Sequence, residues 1–183
     1  MNFFLQGGGC YSLATIADVI YHEYGHGTNT AFYSDNGGFF QNGALHEGYA
    51  DVWGISLTLY PVLGQGMSDT DPTVYIRRYD IDPKIYPDDL VGESHADGEI
   101  IAGAWWDLYL NFDSNMTQTM DLFEDAYYGL QAQTPDGQAL IGLDRLSLRL
   151  DAWATLRHLA PIFSDARMSG LEFHLYQQPD IAW

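Results

Sequence analysis

Apolar residues recur at three- and four-residue spacings before residue 26, where Ile16, Val19 and Ile20 mark one face of a helix expected over about 12–26. Gly27 follows it and predicts the helix end. Thr28 to Asn42 is rich in Gly and Asn, lacks a period, and predicts an irregular loop. A second helix is expected over about 43–60, stopped by Pro61, which lacks the N–H that a helix would use. Between 64 and 96 periodicity is lost among Asp69, Asp71, Pro72, Asp80, Asp82, Pro83, Pro87, Asp88 and Asp89. This predicts a loop-rich insertion, with Tyr75 to Arg78 as a short helix or turn. Three more helices are expected over about 98–111, 117–131 and 143–159, with a turn at Thr134 to Gly137. Residues 2–5 read as an edge strand leading into a Gly7-Gly8-Gly9 loop. Trp53, Trp105, Trp106, Tyr127 and Tyr128 sit at helical spacings and belong to a core. The pattern predicts a mainly α chain with one domain over 1–183: paired helices to about residue 60, the insertion, and a helical bundle over 98–160.

The first helix carries His22-Glu23-Tyr24-Gly25-His26, an H-E-x-x-H box. Side chains at i and i+4 share a face of a helix, so both imidazoles can hold one zinc ion while Glu23 reaches a water beside it. Glu23 is then no ligand but the general base that takes the water's proton and later delivers it to the leaving amine. So short a box needs a third ligand. The second helix offers His46 and Glu47. Glu47 and Asp51 are again i and i+4, so a liganding carboxylate at 47 has a second carboxylate on its own face, free to accept the outer N–H of a liganding histidine. His46 lies about 100° away around the helix. Glu47 is therefore the expected ligand and Asp51 its supporting neighbour, with His46 as the fallback ligand.

With H-E-x-x-H on one helix and E-x-x-x-D on the next, the chain resembles the gluzincin metallopeptidases, the thermolysin and fungalysin group. Residues 93–108, beginning Glu93-Ser94-His95-Ala96-Asp97-Gly98-Glu99, resemble the family segment whose histidine stabilises the transition state, a role that falls on His95. The resemblance runs from about Asp18 to Leu110 and covers three motifs in the family's order. It implies a thermolysin-like helical C-terminal subdomain, a secreted zinc endopeptidase, and a protein or peptide substrate. An endopeptidase is expected because no exopeptidase block of the G-x-M-E-N kind is present. In the family an upstream carboxylate orients the histidine, and here Asp88, Asp89 and Glu93 compete for that place.

Two departures from the family stand out. Its loop tyrosine has no counterpart in Asn36-Gly37-Gly38-Phe39-Phe40, and Tyr33 substitutes only if the chain turns it inward. Only 21 residues precede the box, so most of an N-terminal β subdomain is expected to be missing. The competing readings are a non-catalytic, zinc-stabilised peptidase-like module and a helical interaction protein with a fortuitous motif.

Composition narrows the partners further. The net charge of −18, from 25 acidic and 7 basic residues, argues against nucleic acid or an anionic membrane as partner. The aspartates between 69 and 89 make calcium a second candidate ion, although no EF-hand spacing is present. A lone Cys10 allows no intrachain disulfide and reads as a buried thiol. The start Met1 to Gln6 lacks the basic and apolar stretches of a signal peptide, and no stretch has the roughly 20 apolar residues of a membrane span. Oligomeric state leaves no mark on the sequence. His158 and His174 lie far from the motifs and read as structural or exposed.

Overall fold

In the computed structural model, which describes residue 3, residues 5–35, residue 40 and residues 42–129, the chain is mainly helical. A 3-10 turn at Leu13–Thr15 leads into α1 (Ala17–Asp35). There follow α2 (Gly43–Thr58), β1 (Val62–Leu63), β2 (Arg77–Arg78), α3 (Ser94–Asn111) and α4 (Met116–Gly129).

Helix α1 starts later and runs longer than expected, passing through Gly27 to Asp35. Gly27 does not adopt the left-handed conformation of a helix-ending glycine. The buried stripe explains the miss: Asp18, His22, Gly25, Asn29 and Tyr33 follow one another at three- and four-residue spacings and face inward. Among the three residues expected to form an apolar stripe, only Val19 is buried, while Ile16 and Ile20 are half-buried. A helix whose inner face is polar is invisible to a hydrophobic pattern. Asn29, fully buried, donates from Nδ2 to the carbonyl of His46 at 3.1 Å and so ties α1 to α2.

Helix α2 is close to its expected bounds. Asn42 caps it, its side-chain oxygen accepting from Leu45 N–H at 2.7 Å. At the other end Leu59 turns left-handed (φ 53°) two residues before Pro61. The chain next forms β1, which pairs antiparallel with β2 in the register Val62 with Arg78 and Leu63 with Arg77. The helix or turn expected over Tyr75 to Arg78 is thus replaced at Arg77 and Arg78 by a strand. Val62 and Leu63 are almost fully buried, and Arg77 points its charge inward, so the pairing is fixed from beneath. Asp18 accepts from Gly64 N–H at 3.0 Å, joining the first turn of α1 to the end of β1.

Helix α3 begins at Ser94 rather than near Gly98, because the Glu93 carboxylate accepts from His95 N–H and Ala96 N–H and starts the helix there. His95 therefore stands in the first turn of α3, not in a loop before it. Helix α4 agrees with the expected fourth helix within the described residues. The turn at 134–137, the helix over 143–159, the side chains of Tyr127 and Tyr128, and His158 and His174 lie outside the described residues. Of the edge strand expected over 2–5, residues 3 and 5 are described and belong to no strand.

The core gathers Tyr33, Tyr49, Val52, Ile55, Tyr79, Ala102, Trp106 and Phe123, with Trp53 and Trp105 packed against it. Phe123 brings α4 in between the rings of Tyr49, Trp53 and Trp105. Cys10 is half-buried, and its backbone bridges to Ser68. No helix of the described residues is long and apolar enough to cross a membrane.

Helix α2 lies between α1 and α3, and glycines set both distances. A Cβ on Gly25 of α1 would come within 3.0 Å of Ala50 Cα, and one on Gly98 of α3 within 2.9 Å of both Ala44 O and Gly48 N. Gly98→Ala is therefore expected to destabilise the chain by about 1–3 kcal/mol in urea unfolding, since backbone atoms must move. Gly27→Ala, with no atom within 4 Å of the added carbon, should instead stabilise by up to about 1 kcal/mol. Equal effects of the two substitutions would contradict this packing.

Candidate metal centre

The crossing of α1 and α2 brings donor atoms from both helices together. Glu47 Oε2 stands 3.3 Å from His22 Nε2 and 3.5 Å from His26 Nε2. Donor atoms of these three residues all lie within 4.8 Å of one another. A tetrahedral ion with bonds of about 2.0–2.1 Å holds its ligand atoms about 3.3 Å apart, so the observed spacing has room for one. Glu47 Oε2 is also buried without a hydrogen-bond partner. The facing imidazoles favour its charge without making an aligned hydrogen bond, and a cation between them would give that oxygen the direct partner it lacks. Two nitrogens and a carboxylate oxygen are a donor set that can hold a divalent metal ion.

Each histidine is held from behind. His22 Nδ1 comes within 2.6 Å of Asp51 Oδ1, off the line of a regular hydrogen bond. Asp51 is fully buried, and Arg77 grips it with two bonds, Nε to Oδ2 and Nη2 to Oδ1, both 2.7 Å. The Tyr79 hydroxyl donates to Oδ2 as well. His26 Nδ1 is paired at 2.7 Å with His46 Nδ1. If His26 Nε2 offers a lone pair to an ion, its proton sits on Nδ1 and His46 must accept it. The remaining proton of His46 then lies on Nε2, which is 3.5 Å from Thr30 Oγ1. His46, the fallback ligand, is thus placed behind His26 and outside the group of converging donors.

Burial and neighbouring charges set the ionisation of these groups. Burial lowers His22, but the carboxylates of Asp51 and Glu47 outweigh it and hold the imidazole up at about 9. His46 is pushed down to about 4 by burial and by the nearby His26, which keeps it neutral and able to accept. Burial raises Glu47, and the two imidazoles facing it more than reverse that, holding the carboxyl well below the usual carboxylate range.

The other residues singled out by the motifs flank this cluster. His95 Nε2 lies 3.4 Å from Glu47 Oε1, and its Nδ1 is bound by Glu93 Oε1 at 2.7 Å. Glu93, not Asp88 or Asp89, is the carboxylate on that histidine. Asp89 instead accepts from Ile85 N–H at 2.6 Å. Glu23 is half-buried beside His22 and has no hydrogen bond or ion pair among the described residues. Tyr33 is a core residue packed edge-on against Phe32 and Phe40. Residues 36–39 lie outside the described residues.

In the acidic insertion, Asp71 caps Thr73, Asp80 pairs with Arg78, and Asp82 pairs with Lys84. Among the described residues, only His22, His26 and Glu47 form a group of three converging donors. Arg77 and Tyr79 are the supporting residues that sequence reasoning missed. The available signal was two adjacent arginines in an acidic stretch of a chain with only seven basic residues.

No protein-family model, curated protein or solved structure matches the chain.

Two predictions follow from these charges. In chelator-treated protein, His22 stabilises fully below its unfolded value of 6.5 and loses that contribution as pH rises through about 9. His46 has the opposite sign: its contribution is complete above 6.5 and is lost as pH falls through about 4. The melting temperature of the metal-free chain should therefore peak near pH 6.5, with His22→Gln removing the alkaline decline; a flat profile from pH 6.5 to 9 would contradict the assignment. Separately, Arg77→Met leaves Asp51 buried without its cation and should cost about 3–5 kcal/mol in urea unfolding. Arg77→Lys should rescue little, because an ammonium cannot make the two-pronged contact.

Proposed function

We propose that the chain is the catalytic core of a zinc-dependent metalloendopeptidase of the gluzincin kind, with a thermolysin-like arrangement of its zinc helices and a protein or peptide as substrate. The observation that carries the reading is the meeting of His22 Nε2 and His26 Nε2 at Glu47 Oε2, at 3.3 and 3.5 Å, around a buried oxygen with no hydrogen-bond donor. An extracellular setting belongs to the same reading.

His22, His26 and Glu47 would hold the ion, which when bound supplies Lewis acidity toward a water and toward the scissile carbonyl. Asp51 fixes the ring of His22, and His46 fixes that of His26, so neither ligand has to be oriented when the site is filled. Glu23, on the same turn of α1 as His22, takes the proton of the attacking water and passes it to the departing amine. Its lack of partners among the described residues leaves the carboxylate free for this task. His95 is more than half exposed, and Glu93 fixes its Nδ1. In its imidazolium form, with Nδ1–H on Glu93, His95 would present Nε2–H to the negative charge that develops on a substrate carbonyl oxygen.

The purified chain should bind one zinc and cleave unfolded casein, with both properties lost in Glu47→Ala. Glu23→Gln should keep the metal and lower cleavage by at least about a hundredfold, the scale of a lost general base. Full activity in Glu23→Gln sinks the mechanism. Zinc bound without any cleavage by the wild type leaves the metal-stabilised, non-catalytic module instead.

A further inference from the structure

Helix α3 turns one face toward the site. His95, in its first turn, lies 3.4 Å from Glu47, and Ala102 and Trp106 further along share the core with Tyr79. Side chains three or four residues apart on a helix are neighbours. Glu99 follows His95 by four residues and precedes Ala102 by three, so it stands on this face, between the histidine and the group formed by Asp51, Arg77 and Tyr79. It is half-buried, and its carboxylate has no hydrogen bond or ion pair among the described residues. The described basic side chains are all engaged elsewhere: Arg77 makes two bonds to Asp51, Arg78 pairs with Asp80, and Lys84 pairs with Asp82. Burial raises the Glu99 carboxyl, and Arg77 and Lys84 act against it without touching it.

A half-buried acid in this position is completed by a cation brought from outside. The net charge of −18 draws cationic molecules toward the chain as a whole. We propose that Glu99 is a specificity-determining residue that receives a cationic nitrogen of the substrate, on a lysine or arginine side chain or at a free amino terminus. This rests on the peptidase reading above and narrows its substrate class to basic peptides. One helical turn separates Glu99 from His95, about 5.4 Å, which is less than the span of two residues of extended peptide. The recognised cation therefore belongs to a residue within two positions of the bond that is cut.

The test uses the full, zinc-loaded chain and short peptides built on a mapped casein cleavage site, each beginning within two residues of the bond cut. Lysine or the uncharged norleucine is placed at each position on either side of that bond, and the amino terminus is acetylated or free. Preference for lysine among acetylated peptides assigns the cation to a side chain. Preference for a free terminus among norleucine peptides assigns it to the terminal ammonium. One of these preferences should reach about tenfold in kcat/KM in the wild type, the scale of a hydrogen bond to a charged group, and should lie mainly in KM. It should fall to near one in Glu99→Gln and reverse in Glu99→Lys. The ratio between peptides is read because a general loss of activity cancels in it, and zinc content with melting temperature confirms that each variant is filled and folded. A wild type with neither preference, or a preference that persists in Glu99→Gln, overturns this inference and leaves the peptidase reading standing. A zinc-loaded wild type that cuts no peptide overturns both.

Discussion

A carboxylate with no exposed surface cannot stand without partners, and Asp51 is such a group at the middle of α2. Burial opposes its charge, while His22 and Arg77 together hold the carboxyl below the usual range. Its partners come from three parts of the chain: His22 from α1, Arg77 from β2, and Tyr79 just beyond that strand. Without Asp51 nothing described behind His22 would fix its ring, and the short hairpin would lose the anchor that Arg77 and Tyr79 give it on α2. The location of the site and the path of the chain after α2 are therefore set by one buried charge.

Around that point the helices are brought together by small residues. Gly25 lets α1 approach Ala50 and Trp53, and Gly48 with Gly98 lets α3 approach α2. A side chain of ordinary size at any of these positions would push the helices apart and open the spacings of 3.3 to 3.5 Å among the donors. The aromatic cluster around Phe123 supplies bulk burial, but the glycines decide how far apart the chemical groups stand.

The legible parts of the sequence were those in which chemistry repeats with helical spacing. His22, His26, Glu47 and Asp51 announce themselves through i and i+4 pairs, and they meet in space. The extent of α1 was hidden because the face it buries is Asp18, His22, Gly25, Asn29 and Tyr33, a stripe selected for hydrogen bonding and close approach more than for hydrophobicity. The start of α3 was hidden because glutamate is an uncommon cap, and Asp97-Gly98 resembles a helix break unless the packing of Gly98 on Gly48 is known. Arg77 and His46 belong to long-range pairings, with partners 26 and 20 residues away, which no local pattern encodes. Glu93 could be told from Asp88 and Asp89 only through the geometry of the first turn of α3.

A strand of two residues at the margin of a fold is ordinarily among the first pieces to fray. Here β2 carries Arg77, whose departure would strand a carboxylate inside the helix pair. Peeling the hairpin away is therefore no local event: it carries the cost of exposing or neutralising Asp51 and releases the ring of His22. This two-stranded sheet thus shares its cooperativity with the two helices that build the site. Opening at this edge and loss of order among the donor atoms become one transition.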